Sequence, residues 1–298
     1  MSFIFARKYS NGIEIFADNK MTIDSNDESI ITKAVGMDTY KRIKSLGVIK
    51  NVIVNESICI CSAGILEDFN KLLEYIDNKE SILLDDICNK ALEINNKSNN
   101  RTDFIICSVK DNKIIIQIKD YEKCEVESSW IGSKKCFEVF QSIRHSEEMS
   151  KQTIYDCETK RDIPLNDEGI DLFSFQNTLL SNVDSTVGEK AIICESVNNK
   201  FYYREGLSTS ISKPRTVELG KVINLYDDVF DGGYTYYVYH SSDNYKMYID
   251  QLKCGIVYCP FLTYEKYNHL RLPKLEYCTV EEFQDKNNCE ECSIKMYV

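Results

Sequence analysis

The chain has 298 residues, 43% of them hydrophobic, with 36 basic against 47 acidic side chains and a formal net charge of −11. At roughly 150 residues per domain this is one large domain or two small ones, with material for a sizeable core. The acidic balance argues against a duplex-DNA or anionic-membrane surface, both of which need a basic face.

No uncharged apolar run approaches the ~18 residues of a membrane span. The first residues place their charges after the apolar run, the reverse of a secretory signal. The expected setting is the cytoplasm, with neither nucleic acid nor membrane as partner. The 13 cysteines are odd in number and scattered, several within apolar runs (Cys59, Cys61, Cys107, Cys194). Reduced, buried thiols are the reading this favours.

In chain order, residues 2–6 are apolar, Ser10-Asn11-Gly12 is a turn signal, and residues 13–17 form a second strand closed by Asp18. Residues 19–49 are polar and mixed. Residues 51–54 and 58–61 flank the turn Asn55-Glu56-Ser57 as a second hairpin. Ser62-Ala63-Gly64 ends it and opens a helix in which Ile65, Leu66, Phe69, Leu72, Leu73 and Ile76 recur at helical spacing. A further helix is predicted over 81–95, a hairpin over 102–118, a helix around 136–143, a loop over 146–168, a helix over 171–183, and a last hairpin around Asn198-Asn199.

Strands grouped as hairpins and helices grouped as pairs predict an α+β class. The economical layout is two antiparallel sheets between helix layers, a four-layer αββα sandwich. Residues 206–298 break the rhythm, so residues 1–205 are expected to form one domain and 206–298 a C-terminal extension serving as an interface or lid. The extension includes a strand-like run, Tyr234-Thr235-Tyr236-Tyr237-Val238-Tyr239.

The first hairpin starts at Ser2. Removal of Met1 before this small residue would place a free α-amine beside the serine hydroxyl. Such an amine titrates near 7.7–8.0 and can act as base on the nucleophile of its own residue. Asp18 lies 16 residues after Ser2, where an antiparallel hairpin returns to its start. Lys50 begins the next hairpin, and Gly64 lies 14 residues beyond it at a strand-to-helix turn.

This set resembles the proteasome β-subunit family of N-terminal nucleophile (Ntn) hydrolases, which includes the bacterial HslV and Anbu proteins. Ser2, Asp18 in Phe16-Ala17-Asp18, Lys50, and Ala63-Gly64 match its nucleophile, Asp, Lys and Gly in order. Ile131-Gly132-Ser133 resembles its Gly-Ser-Gly turn, with Lys134 replacing the second Gly. Asp184-Ser185-Thr186-Val187-Gly188 resembles its Asp-containing turn after the last long helix. The resemblance covers about residues 2–205.

The resemblance implies an Ntn-hydrolase fold and peptidase chemistry. Ser2 would attack the scissile carbonyl. Lys50 beside Asp18 would lower the effective pKa of the nucleophile, the Gly64 N–H would face the oxyanion, and Ser133 and Asp184 would orient the amine. It further implies a peptide or unfolded protein as substrate, a homo-oligomeric ring, and an ATP-dependent unfoldase or other activator as partner. Neither cofactor nor metal is expected. The departures are Ser for Thr at the nucleophile and about 16 extra residues between Asp18 and Lys50 relative to the family, which leaves Lys33 and Lys41 as fallback lysines.

Each residue also has a plainer reading. Asp18 can close a turn, Lys50 can be a solvated lysine, Gly64 can serve close packing, and Ser133 can cap a helix. The competing functions are a small-amide hydrolase of the same chemistry and a non-catalytic proteasome-like scaffold or regulatory subunit. In the extension, Cys289-Glu290-Glu291-Cys292 has zinc-like spacing. It lacks a second pair, however, and Cys254, Cys259, Cys278, His240 and His269 are the other nearby thiols and imidazoles. Free thiols remain the leading reading there.

Overall fold

The computed structural model describes residues 2–20, 49–79, 83–156, 161–188, 191–204, 236–240, 245–249, 254–258, 274–287 and 293–295. The class is α+β, with two five-stranded antiparallel sheets and helices in the N-terminal two-thirds. The first sheet contains β1 (Phe3–Lys8), β2 (Ile13–Asp18), β8 (Ser128–Gly132), β11 (Ala191–Val197) and β12 (Lys200–Tyr203), in the order β12-β11-β2-β1-β8. The second contains β3 (Asn51–Asn55), β4 (Ile58–Ala63), β5 (Asp103–Ser108), β6 (Ile114–Lys119) and β7 (Glu122–Val126), in sequence order.

Between β4 and β5 lie α1 (Leu66–Asp77) and α2 (Leu84–Lys97). After β8 come α3 (Lys134–Arg144), α4 (Glu147–Ser150) and a small hairpin, β9 (Thr153–Asp156) with β10 (Arg161–Pro164). The helix α5 (Asp167–Leu180) precedes β11.

The period-2 alternation of the strands sorts their side chains into separate cores. One face of each sheet contributes to a shared cluster: Ile4, Ala6, Ile15 and Ile131 from the first, with Cys59, Cys61, Ile105 and Cys107 from the second. The opposite face of the second sheet, with Ile60, Phe104 and Ile106, packs on Phe69, Leu72 and Ile76 of α1 and Ile87 and Ala91 of α2. The opposite face of the first sheet, with Phe3, Phe5 and Phe16, packs on Phe140 of α3 and Phe175 of α5. Burying each of these large side chains contributes about 1.5–3 kcal/mol. The thiols of Cys59, Cys61, Cys107 and Cys194 are free and buried, and burial pushes their pKa values up, so they act as small core hydrophobes.

The hairpins and helices expected from periodicity form, with boundaries shifted by a few residues. The expected loop over 146–168 instead carries α4, the β9–β10 hairpin and the start of α5. Its strands are short and the side chains of β10 are exposed, so no apolar alternation marks them. The strand β7 was also not foreseen. Four of its five residues are exposed, and its turn uses Asp120 and Tyr121 at φ 53° and 67°, where the usual hairpin signal is Asn-Gly or Asp-Gly.

The C-terminal region forms a third five-stranded antiparallel sheet: β13 (Tyr236–His240), β14 (Tyr245–Ile249), β15 (Cys254–Tyr258), β16 (Lys274–Tyr277) and β17 (Ser293–Lys295), ordered β16-β15-β14-β13-β17. After β16, α6 (Val280–Asn287) sets Phe283 against Tyr248, with ring centroids 5.7 Å apart. The boundary expected near 206–216, the lysines Lys33 and Lys41, and Cys259, His269, Cys289 and Cys292 lie outside the described residues. Among the described residues no helix is long and apolar enough to cross a membrane.

Candidate active site

The site forms at the end of the first sheet where β1 begins. The register Ile4↔Ala17 sets the start of β1 against the end of β2, and Phe3↔Gly132 sets it against the end of β8. Ser2 is 8% exposed, and its carbonyl accepts the Ser133 N–H at 2.7 Å. Its hydroxyl bonds to no described residue.

Asp18 is fully buried and is held by donors from four segments. Its Oδ1 accepts the Phe3 N–H at 2.7 Å, and its Oδ2 accepts the Gly188 N–H at 2.8 Å and the Lys20 N–H at 3.1 Å. The Lys50 ammonium donates to both oxygens at 2.8 Å. Burial lowers the Lys50 pKa from its ordinary value, and Asp18 opposes that shift. This is therefore a dry, hydrogen-bonded ion pair rather than a solvated lysine, and it lies one peptide bond from Ser2.

A second centre adjoins it. The Ser133 hydroxyl donates to Asp184 Oδ2 at 2.6 Å and also accepts the Cys136 N–H at 3.3 Å as the cap of α3. The capping bond and the bond to Asp184 thus coexist in one hydroxyl. Asp184 Oδ1 accepts the Thr186 N–H at 3.0 Å and its hydroxyl at 2.6 Å. Burial raises the Asp184 pKa, but the hydrogen bonds from Ser133 and Thr186 outweigh it and bring it down to about 2. Asp184 is an anion at neutral pH.

Two glycines let these segments meet. Gly64 has φ +135°, and a Cβ there would overlap the Arg101 carbonyl oxygen and lie 2.7 Å from Thr102 Cα. Its N–H has no acceptor among the described residues. The following turn is pinned by Thr102, whose hydroxyl accepts the Ile65 N–H at 3.1 Å and donates to Asp68 at 2.8 Å. Gly132 has φ +94°, and a Cβ there would overlap the Ser2 carbonyl oxygen and lie 3.4 Å from Ala63 Cβ. The Ala63-Gly64 turn therefore comes up beside Ser2.

All six expected residues are joined by this network. Ser2, Asp18 and Lys50 meet through Phe3, and Ser133 and Asp184 meet Ser2 through its carbonyl. Gly64 is linked through Ala63 and Gly132. Sequence reasoning assigned no role to Gly132, Thr186 or Gly188, although all three lie inside the motifs it quoted. Thr102 carried no signal at all.

A separate acidic cluster lies at the opposite end of β2. Glu14, Glu168 and Glu195 each offer an oxygen within 4.8 Å of the others, which is compatible with a cation. Arg204 already supplies that charge, bonding Glu14, Glu168 at 2.9 Å and Glu195 at 2.5 Å, so a metal would have to displace it. Burial, then a hydrogen bond with Glu168, push the Glu14 pKa up to about 9. A proton on Glu14 supplies the donor for its hydrogen bond with Glu168.

The folded state therefore holds a proton that the unfolded chain releases, and stability falls as pH rises from about 4.5 to about 9. Glu14→Gln, which keeps the donor to Glu168, is expected to flatten that slope. It should raise stability at pH 8 by about 1 kcal/mol or more, read by denaturant unfolding at pH 5 and pH 8.

No protein-family model and no curated protein matches the chain.

Proposed function

We propose that residues 2–204 are an amide-bond hydrolase of the proteasome-like Ntn type, with Ser2 as nucleophile once Met1 is removed. In this reading the two sheets and their helix pairs form the four-layer αββα sandwich of that fold. The observation that carries the proposal is the Asp18 carboxylate, fully buried, which binds the N–H next to Ser2 and both receives and orients the Lys50 ammonium. A buried charge pair at a chain terminus is costly to assemble. A place beside a hydroxyl without a partner among the described residues suits a role in activating it.

The chemistry follows from the groups present. The Ser2 Oγ attacks the scissile carbonyl carbon, and its proton passes to the α-amine of the same residue. The ionised Asp184, through Ser133, holds that end of the chain. The Gly64 N–H donates to the oxyanion, where one such donor contributes about 2.7–4 kcal/mol. The C–N bond breaks as the amine returns the proton to the leaving group, and water hydrolyses the resulting ester. We further propose peptides or unfolded proteins as substrates, a homo-oligomeric ring as the working assembly, and an unfoldase or other activator as partner.

The test is intact-protein mass after incubation with a β-lactone. The expected result is loss of methionine and a single adduct equal to the lactone mass, absent from Ser2→Ala. A chain that keeps Met1, or one that loses it and never labels, would overturn the catalytic reading in favour of a scaffold subunit.

A further inference from the structure

We infer that Asp103 determines specificity at this site, its carboxylate receiving a positively charged group of the substrate, an arginine or lysine side chain. The inference rests on the Ser2 reading and names the substrate class for it. Asp103 begins β5 directly opposite Ala63 in the ladder, one residue before Gly64. Gly64 closes against the backbone of the two residues before Asp103, Arg101 and Thr102. Cross-strand partners of this kind have Cβ atoms about 4.5–5.5 Å apart, and Ala63 Cβ lies 3.4 Å from where a Cβ on Gly132 would stand, the position that overlaps the Ser2 carbonyl oxygen. Asp103 shares the pleat face of Ile105 and Cys107, which belongs to the cluster between the sheets. Its carboxyl thus stands on the inter-sheet side, at the end where Ser2, Gly64 and Gly132 converge.

Among the described residues this carboxylate has no hydrogen-bonded counter-ion. Oδ1 is buried without a hydrogen-bond partner, and neither oxygen takes part in an ion pair with any described residue. Lys119, on the adjoining strand, places its ammonium 3.6 Å from the centre of the Trp130 ring instead. Burial pushes the Asp103 carboxyl up to about 6, with Lys119 opposing and Asp120 adding to the shift, so it is mostly ionised at neutral pH. Asp103 is half-buried, and a sealed carboxylate oxygen without a donor is costly and normally satisfied. A guanidinium or ammonium arriving with the substrate supplies the counter-charge.

The experiment compares fluorogenic peptides ending in arginine with otherwise identical ones ending in citrulline, which has nearly the same shape without the charge. The expected kcat/KM ratio is at least about tenfold in favour of arginine, falling as pH drops through 6. Asp103→Asn should bring the ratio to within about twofold, through loss of arginine cleavage. A ratio near one in the unaltered protein, or one unchanged in Asp103→Asn, would overturn the inference while the nucleophile reading stands.

If no peptide is cleaved, calorimetric binding of the corresponding peptide amides decides the matter separately. Arginine binding at least about tenfold tighter than citrulline, lost in Asp103→Asn, supports the charge site. Equal binding overturns it. A protein that binds this way yet never labels at Ser2 refutes the nucleophile alone.

Discussion

Lys50→Met is expected to destabilise the protein by about 3–5 kcal/mol, the usual cost of leaving a buried carboxylate without its counter-ion. Asp18 is fully buried and Lys50 donates to both of its oxygens. Removing the ammonium leaves three backbone N–H groups, from Phe3, Lys20 and Gly188, to hold a full negative charge. Those bonds prevent collapse of the site but do not neutralise it. The double variant Asp18→Asn/Lys50→Met should recover part of the loss, because the neutral amide no longer needs the cation. Denaturant unfolding of the two single variants and the double variant measures the coupling. Additive losses would show that Lys50 acts through its methylene packing and not through charge. If Ser2 is the nucleophile, its labelling rate should fall by about 100-fold or more in Lys50→Met, and the double variant should not restore it. That separates the catalytic role of the pair from its structural one.

Gly132→Ala should be the most damaging single-methyl change in the region. At φ +94° any residue but glycine is strained by about 1–3 kcal/mol. The new methyl would also overlap the Ser2 carbonyl oxygen, a backbone atom that cannot rotate away. The Ser133 N–H to Ser2 carbonyl bond at 2.7 Å would open, and Ser2 would shift relative to Lys50 and Gly64. A displacement of about 1 Å is enough to cost about 100-fold in rate. Gly169→Ala on α5 is the control. Its Cβ would meet chiefly the end of the Leu165 side chain, at 2.9 Å, so stability and labelling should stay near those of the unaltered protein. Equal behaviour of the two alanine variants in unfolding and lactone labelling would show that the close approach of Gly132 to Ser2 has no consequence.

The candidate site was legible as a list of positions before it was legible as a place. Asp18 could be anticipated opposite Ser2 because a hairpin returns to its own start, and the register Ile4↔Ala17 does this. Lys50 and Gly64 rested on a spacing within one hairpin. Ser133 and Asp184 rested on short motifs, yet their hydroxyl–carboxylate bond joins residues 51 apart in the chain. No pattern in the sequence predicts such a bond. Asp103 went unnoticed for the same reason: a single aspartate at the head of an apolar strand reads as a strand boundary. Its meaning comes from Ala63 across the ladder and from an Oδ1 without a hydrogen-bond partner among the described residues.

The information carried by the order of residues is local. Alternation of apolar residues every second position made the paired hairpins, and recurrence at helical spacing made α1, α2, α3 and α5, because the burial of a face is encoded in the order of side chains. Asn198 and Asn199, at φ 51° and 60°, mark the last turn for the same local reason. The solvent-facing strands β7 and β10 left no such trace, since nothing on an exposed edge requires an apolar residue. Tertiary packing sets which face of each sheet meets the other, makes Gly132 lack a side chain so that Ser2 can lie against it, and brings Asp18 donors from Phe3, Lys50 and Gly188, three segments apart from its own. Those outcomes depend on steric overlap and charge compensation between residues far apart in the chain, which exist only once the sheets have packed.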